Sequence, residues 1–185
     1  MLTRERWWQD HEVGERRQTV GRTVTEADVV VHAGQTGDFF PHHMDAEWCA
    51  TQPFGRRIAH GTLVVSMAVG MTAGDINPQA MSYGYDRIRF VRPVFLDDTI
   101  TVSAEIVAMA DHKREPERRG TLDELVTVTN QHGQTVLVLT HLYVVNKRPL
   151  PAINPQRHEH HPHEQAGQNE PDRPMPEHRL AEDER

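Results

Sequence analysis

The chain of 185 residues holds a single cysteine, Cys49, so no intramolecular disulfide can form and a reducing, cytoplasmic setting is expected. It lacks any apolar run of the roughly 18 residues that a bilayer-spanning helix needs. The opening stretch, MLTRERWWQDHEVG, has no apolar core of the kind a signal peptide carries. No membrane association is expected. Basic excess is missing too. Lys and Arg number 20 against 27 Asp and Glu, a net charge of −7, which leaves no electrostatic footprint for nucleic acid. Hydrophobic residues make up 37 %, low for a wholly folded chain, and the shortage is concentrated after Lys147.

Residues 149–185 are rich in Pro, His, Glu and Arg. Such a segment cannot bury enough apolar surface to offset the entropy of ordering it. The expected organisation is one domain over residues 1–148 and a disordered polar tail over 149–185. His158, His160, His161 and His163 lie in that tail without a defined carboxylate or thiolate geometry, so no dedicated metal site is expected there.

What remains is patterned. Near the start, the Trp7–Trp8 pair is expected to anchor the polar N-terminal arm. Thr25-Glu-Ala-Asp28 has a hydroxyl followed three residues later by a carboxylate, a helix start that satisfies free N–H groups at both positions. Val29, Val30 and Ala33 supply its apolar face, and Gly37 is its stop. Asp45 is a second capping residue, for a short helix over 46–51. His60–Met71 is almost entirely apolar or small, too short to span a membrane and suited to a buried helix.

From Met81 the period changes to two. Strands are expected over Tyr85–Arg92, Thr99–Ala110, Leu122–Thr129 and Thr135–Val145, with a hairpin turn at Gln131-His132-Gly133-Gln134 and a charged loop over His112–Gly120. Strands joined by turns make an antiparallel sheet, and a sheet with its helix on one face is an α+β domain.

The densest polar cluster of the folded part is Gly37-Asp38-Phe39-Phe40-Pro41-His42-His43-Met44-Asp45, expected as a loop between two helices. A carboxylate and an imidazole close together form an acid/base pair in principle. By spacing alone, the same residues suit an ordinary surface turn.

The order Ala33-Gly-Gln-Thr-Gly-Asp38-x-x-Pro41-x-His43, then Pro53-Phe-Gly-Arg-Arg-Ile-Ala-His60-Gly61, and later Tyr85–Thr99, resembles the MaoC-like hydratases, a family that includes the R-specific enoyl-CoA hydratases. The likeness covers roughly residues 8–147. It implies a hot-dog fold, an antiparallel sheet wrapped around a long central helix at about 60–74. It also implies a homodimer or higher homo-oligomer, and a CoA thioester substrate lying in a tunnel near the subunit interface. The implied reaction is reversible hydration of a double bond conjugated to the thioester, without metal or organic cofactor.

The family's catalytic pair falls on Asp38 and His43, which would share and activate one water; which of them is base and which acid stays open. The resemblance makes the Gly61 N–H a donor to the thioester oxygen. A helix N-terminus favours the charge that develops there, and glycine admits close approach. Phe39, Phe40, His60 and Thr62 are the candidate substrate-binding residues. Phe40 stands where the family usually has Asn, and His42 where it usually has an aliphatic residue. For His42 a structural or solvent-facing role is expected, for His60 a backbone hydrogen bond at the helix start, and for Thr62 either capping or pocket lining. Arg56 and Arg57 are candidates for CoA phosphates or plain solvated charges. The competing functions are a hot-dog acyl-CoA thioesterase and a non-catalytic acyl-CoA-binding or assembly protein.

Overall fold

A computed structural model describes residues 2–73 and 75–149. The expected disorder of the tail from residue 150 onward, with His158, His160, His161 and His163, therefore lies outside the described residues.

The chain begins with β1 (Leu2–Thr3), a 3-10 turn at Trp8–Asp10, β2 (Arg16–Gln18) and β3 (Arg22–Thr23). Four helices follow: α1 (Glu26–Thr36), α2 (Pro41–Met44), α3 (Ala46–Ala50) and α4 (Gly61–Thr72). After β4 (Asp75–Ile76) come the long strands β5 (Ala80–Phe90), β6 (Thr99–Asp111), β7 (Arg119–Thr129) and β8 (Thr135–Asn146).

The main sheet is antiparallel. β7 lies between β6 and β8, β5 flanks β8, and β2 and β3 run along the outer edge of β6. β1 and β4 form a separate short parallel pair. Leu63, Val64, Met67 and Ala68 of α4 are buried against Ile100 and Val102 of β6, Val126 and Val128 of β7, and Leu137 and Leu139 of β8. A helix held in the concave face of an antiparallel sheet is the hot-dog arrangement, as expected. Thr62, Ser66 and Gly70 form an exposed line on its opposite side, so the helix is buried on one face rather than all round.

Three boundaries differ from the sequence reading. β5 starts at Ala80, five residues early, and ends at Phe90; register shifts at Ser82/Gly84 and Asp86/Arg89 break the alternation that would mark it. β7 takes in Arg119 and Gly120, expected as loop. A Cβ on Gly120 would overlap the Trp8 indole, so glycine lets that ring lie on the strand. Trp8 donates to the Thr121 carbonyl at 3.3 Å and packs on Ile106, Leu122 and Val145, so this tryptophan does anchor the arm. Finally, the Asp38–His43 stretch is not all loop. Pro41, with its φ already helical and no N–H to satisfy, opens α2 at the first helical position.

Candidate active site

The capping signals place the polar segment. Thr25 Oγ1 accepts from the Asp28 N–H at 3.3 Å while Asp28 Oδ2 accepts from the Thr25 N–H at 2.9 Å. At the other end of α1, Gly37 turns the chain with φ of +78°, a left-handed conformation that glycine adopts without strain. Asp38 follows directly, and its Oδ1 accepts from the Phe40 N–H at 3.3 Å. α3 is capped as expected, Asp45 Oδ1 accepting from the Trp48 N–H at 2.9 Å.

α2 is tied to the segment before α4 in both directions. The Ile58 N–H donates to the His42 carbonyl at 3.0 Å, and His43 Nδ1 lies 2.7 Å from the Ile58 carbonyl. A carbonyl only accepts, so Nδ1 carries the hydrogen. The neutral His43 ring therefore carries no hydrogen at Nε2, and the His42 Nε2 lies 2.8 Å from that atom. His43 is buried, and burial pushes its pKa below the ordinary value, helped by the neighbouring His60 and His42; the Ile58 bond and the Asp38 charge act the other way. The carboxylate Oδ2 of half-exposed Asp38 stands 3.9 Å from His43 Nε2. That is too long for a direct hydrogen bond and suits one small polar molecule held by both.

His60 precedes α4 and is almost wholly buried, at 1 % exposure. Its Nε2 donates to the Asp38 backbone carbonyl at 2.8 Å, and its ring stacks on His43 with centroids 3.6 Å apart. The backbone bond expected of it is present. Its Nδ1 is buried without a partner among the described residues. Asp38, His43 and His60 bring ligand-type atoms within 4.8 Å of one another. Yet His43 Nδ1 and His60 Nε2 are committed to the Ile58 and Asp38 carbonyls, and the rings are stacked face to face at 3.6 Å, so the in-plane lone pairs lie in separate planes, a poor fit to one ion at an imidazole–metal bond of about 2.1 Å.

These groups border a cavity of about 480 Å³. Asp38, His42, His43, His60, Gly61 and Thr62 line its polar side; Val64, Phe90, Val91, Val94 and Val136 line its apolar side, with Arg92 between. Gly61 is the first residue of α4, whose N-terminal end carries the positive pole of the helix. A Cβ on Gly61 would come 2.7 Å from the Phe90 ring, so glycine is what allows that ring to lie over the helix start. Thr62 does not cap α4; its hydroxyl is bonded to His32 Nε2 at 2.9 Å.

Profile comparison matches residues 9–128 to the family described as MaoC like domain. The chain belongs to the MaoC-like family. Protein MaoC of Klebsiella aerogenes is 37 % identical over 98 residues, which are 52 % of this chain and 29 % of that protein. The chain thus spans under a third of that relative. An (R)-specific enoyl-CoA hydratase of Aeromonas caviae is 30 % identical over 105 residues, 57 % of this chain and 78 % of the enzyme. Among solved structures, a monoamine oxidase regulatory protein from Archaeoglobus fulgius superposes with a TM-score of 0.74 at 35 % identity, covering 80 % of this chain and 100 % of that one. A Mycobacterium tuberculosis protein with a double hotdog fold, 21 % identical, matches with a TM-score of 0.67 over 78 % of this chain and 45 % of its own, and shows the fold.

Against the MaoC-like motif, the structure brings Asp38, His43, His60, Gly61 and Thr62 to one cavity and leaves Phe39 and Phe40 outside its lining. Both phenylalanines are more than half exposed, and the Phe40 ring packs on His42 and Trp48, so it meets the site only through His42. Arg57 is paired with Glu26 at 2.6 Å, and Arg56 lies over the Phe95 ring. Cys49 is buried with its thiol against the Pro41 and His42 carbonyls, a packed residue rather than a nucleophile.

Three residues that line the cavity were not singled out by the sequence. His42 was expected to face solvent or play a structural part, but it lines the cavity. The dipeptide His42-His43 was the available signal. Phe90 and Arg92 reach the cavity from the end of β5, about thirty residues away along the chain, and nothing local marks them.

Proposed function

We propose that this protein is a hydro-lyase that reversibly hydrates an enoyl-CoA, or dehydrates the matching 3-hydroxyacyl-CoA, with Asp38 and His43 activating a shared water. The observation that carries this reading is the pair itself: a half-exposed carboxylate and a buried imidazole lone pair face each other at 3.9 Å beside the N-terminus of α4. A water held at the pair gives one proton to it while its oxygen attacks the β carbon. As that bond forms, the thioester oxygen gains charge, and the Gly61 N–H at the positive helix end is the group we assign to receive it. A proton from the pair then completes the α carbon. An acid/base pair of this kind contributes about 10²–10⁴ in rate. The apolar wall of Phe90, Val91 and Val136 suits the acyl portion of the substrate. His60 acts in this scheme by fixing the Asp38 backbone and supporting the His43 ring, and Thr62 by holding His32 beside it. The relatives' hydratase activity supports the same reaction class.

We further propose that two copies pair through β5. Among the described residues this strand has a partner on one side only, and Met81, Tyr83 and Phe90 are exposed along it. A cytoplasmic setting is part of the same reading, supported by the single free, buried cysteine.

The test is to follow crotonyl-CoA and branched enoyl-CoAs by loss of enoyl absorbance and, in parallel, by release of free thiol. Absorbance loss without thiol is expected. Thiol release instead would replace hydration with thioester hydrolysis, and silence in both channels across the panel would leave an acyl-CoA-binding role.

A further inference from the structure

The Phe90 ring bridges the sheet and the central helix at the edge of the cavity. It reaches from the last residue of β5 to the first residue of α4, where its Cε1 and Cζ atoms lie 2.7 Å from the place a Cβ on Gly61 would take. The backbone behind the ring is pinned. Phe90 is in register with Leu137 of β8, and the Val91 and Arg92 N–H groups both donate to the Val136 carbonyl, at 2.8 and 3.3 Å. What freedom this residue has is therefore in its side chain, and the residue is 58 % exposed.

Most of the remaining apolar wall cannot give. Val64, Val94 and Val136 belong to the main core and are 4 % exposed or less. Their β-branched side chains have few rotamers to choose from, and a close-packed core leaves them no room to move. Phe90 is the largest side chain of that wall, and it is the one that closes the wall against the helix.

In the hydratase reading, the conjugated double bond lies between the Asp38–His43 gap and the Gly61 N–H. Two chains leave that point. The pantetheine arm of CoA carries amides, which are costly to bury without hydrogen-bond partners. Phe90, Val91 and Val136 offer no polar side chain, so their wall suits the hydrocarbon end of the substrate. The acyl chain then runs along this wall until it meets the ring.

We propose that Phe90 sets the acyl length that this site accepts, and that its substrates are short-chain enoyl-CoA thioesters. This inference rests on the hydratase reading above. A chain that ends before the ring leaves it seated on Gly61. A longer chain has to turn the ring out toward solvent and loses its packing against the helix start. A misfit of a single methylene in an apolar pocket discriminates by about 10–200-fold. Phe90 touches the acyl group and takes part in no proton transfer.

The test compares wild type, Phe90→Leu and Phe90→Ala on crotonyl-CoA and oct-2-enoyl-CoA, with kcat/KM measured for each pair. The wild type is expected to favour crotonyl-CoA by at least about tenfold. Phe90→Ala should move that ratio at least about tenfold toward oct-2-enoyl-CoA, and Phe90→Leu should move it the same way by less. Loss of folded protein or of subunit pairing lowers both rates together, so the ratio isolates acyl length. A wild type that takes both chains equally well overturns the proposal and leaves hydration standing. So does a ratio that moves less than about twofold in both variants, which would make the ring a gate for the whole thioester. Binding of the saturated analogues butyryl-CoA and octanoyl-CoA, measured by calorimetry, puts the same question without turnover. A preference for butyryl-CoA that Phe90→Ala removes is expected there too. If no enoyl thioester is hydrated, the hydratase reading fails; that binding preference would still support the ring's role, and its absence would overturn it.

Discussion

Among the described residues, two clusters of polar groups are built around buried histidines. At the start of α4, His42, His43 and His60 gather around Asp38. On the concave face of the sheet, His141 of β8 sits opposite Glu124 of β7, with Tyr143 two residues on. There Ser82 Oγ lies 2.7 Å from His141 Nε2, the Tyr143 hydroxyl 2.8 Å from His141 Nδ1, and Arg17 bonds Glu124 at 2.9 Å. Burial shifts the titrating groups of this second cluster as well: it pushes His141 down to about 4 and Glu124 up, with Arg17 opposing the latter.

The difference is in what is left over. Around His141 both ring nitrogens have a partner. Around His43 the carboxylate stops 3.9 Å short, His60 keeps a buried nitrogen without a partner, and a cavity opens onto the gap. Unfilled hydrogen-bonding capacity costs about 1–3 kcal/mol per buried group. An orphaned nitrogen alone does not mark a site, since His11 also keeps both ring nitrogens buried without a partner among the described residues; the orphaned nitrogen together with the cavity and the open Asp38–His43 gap is what sets the first cluster apart. A perturbed pKa alone does not, since both clusters have them.

The comparison breaks most sharply at Asp38. Asp38→Asn should lower hydration by about 10²–10⁴ with unfolding by urea unchanged. The assignment is wrong if more than a tenth of wild-type kcat survives.

The second cluster should do the opposite. His141→Leu should keep kcat per folded molecule and lose about 1–3 kcal/mol of stability by stranding the Tyr143 hydroxyl. It should also change the pH dependence. The His141 pKa is about 4 in the folded protein, below the ordinary 6.5 of the unfolded chain. Between those values the unfolded chain binds more protons, so stability falls as pH falls, by about 3 kcal/mol for this one group. Urea melts from pH 7 to pH 4 should show that fall in the wild type and a flatter curve in His141→Leu.

At Gly61 the effect is smaller and geometric. Gly61→Ala forces the Phe90 ring aside by its new Cβ, and a displaced wall should cost roughly tenfold in kcat/KM, since misplacement by about 1 Å can cost up to 10²-fold. Gly61→Ala with Phe90→Ala should recover most of it. The smallest change is Thr62→Val, which removes the bond to His32 at an exposed position and should shift stability by under about 1 kcal/mol with little change in rate.

Much of this was legible in the chain. Thr25 and Asp28, Gly37, and Asp45 each mark a helix end through their own backbone neighbours, and each does so in the structure. The alternation over Thr99–Ala110 and Thr135–Val145 located two strands nearly to the residue. The bulged strand β5 was legible only in part, because two register shifts erase its period. The family resemblance carried by Asp38-x-x-Pro41-x-His43 marked the pair, which spacing alone did not, and left its geometry open.

The sequence by itself thus determined the elements, their caps and the identity of the two groups that face each other, because those depend on residues a few positions apart. Only the tertiary structure decided which nitrogen of His43 is bare. That follows from the Ile58 carbonyl, fifteen residues away, taking the other. It likewise placed His42 on the bare nitrogen and Phe90 over Gly61, contacts made by packing α2, α4 and the end of β5 around one cavity. Local pattern carries no information about which carbonyl or ring will arrive from elsewhere, and at this site those arrivals set where the protons sit.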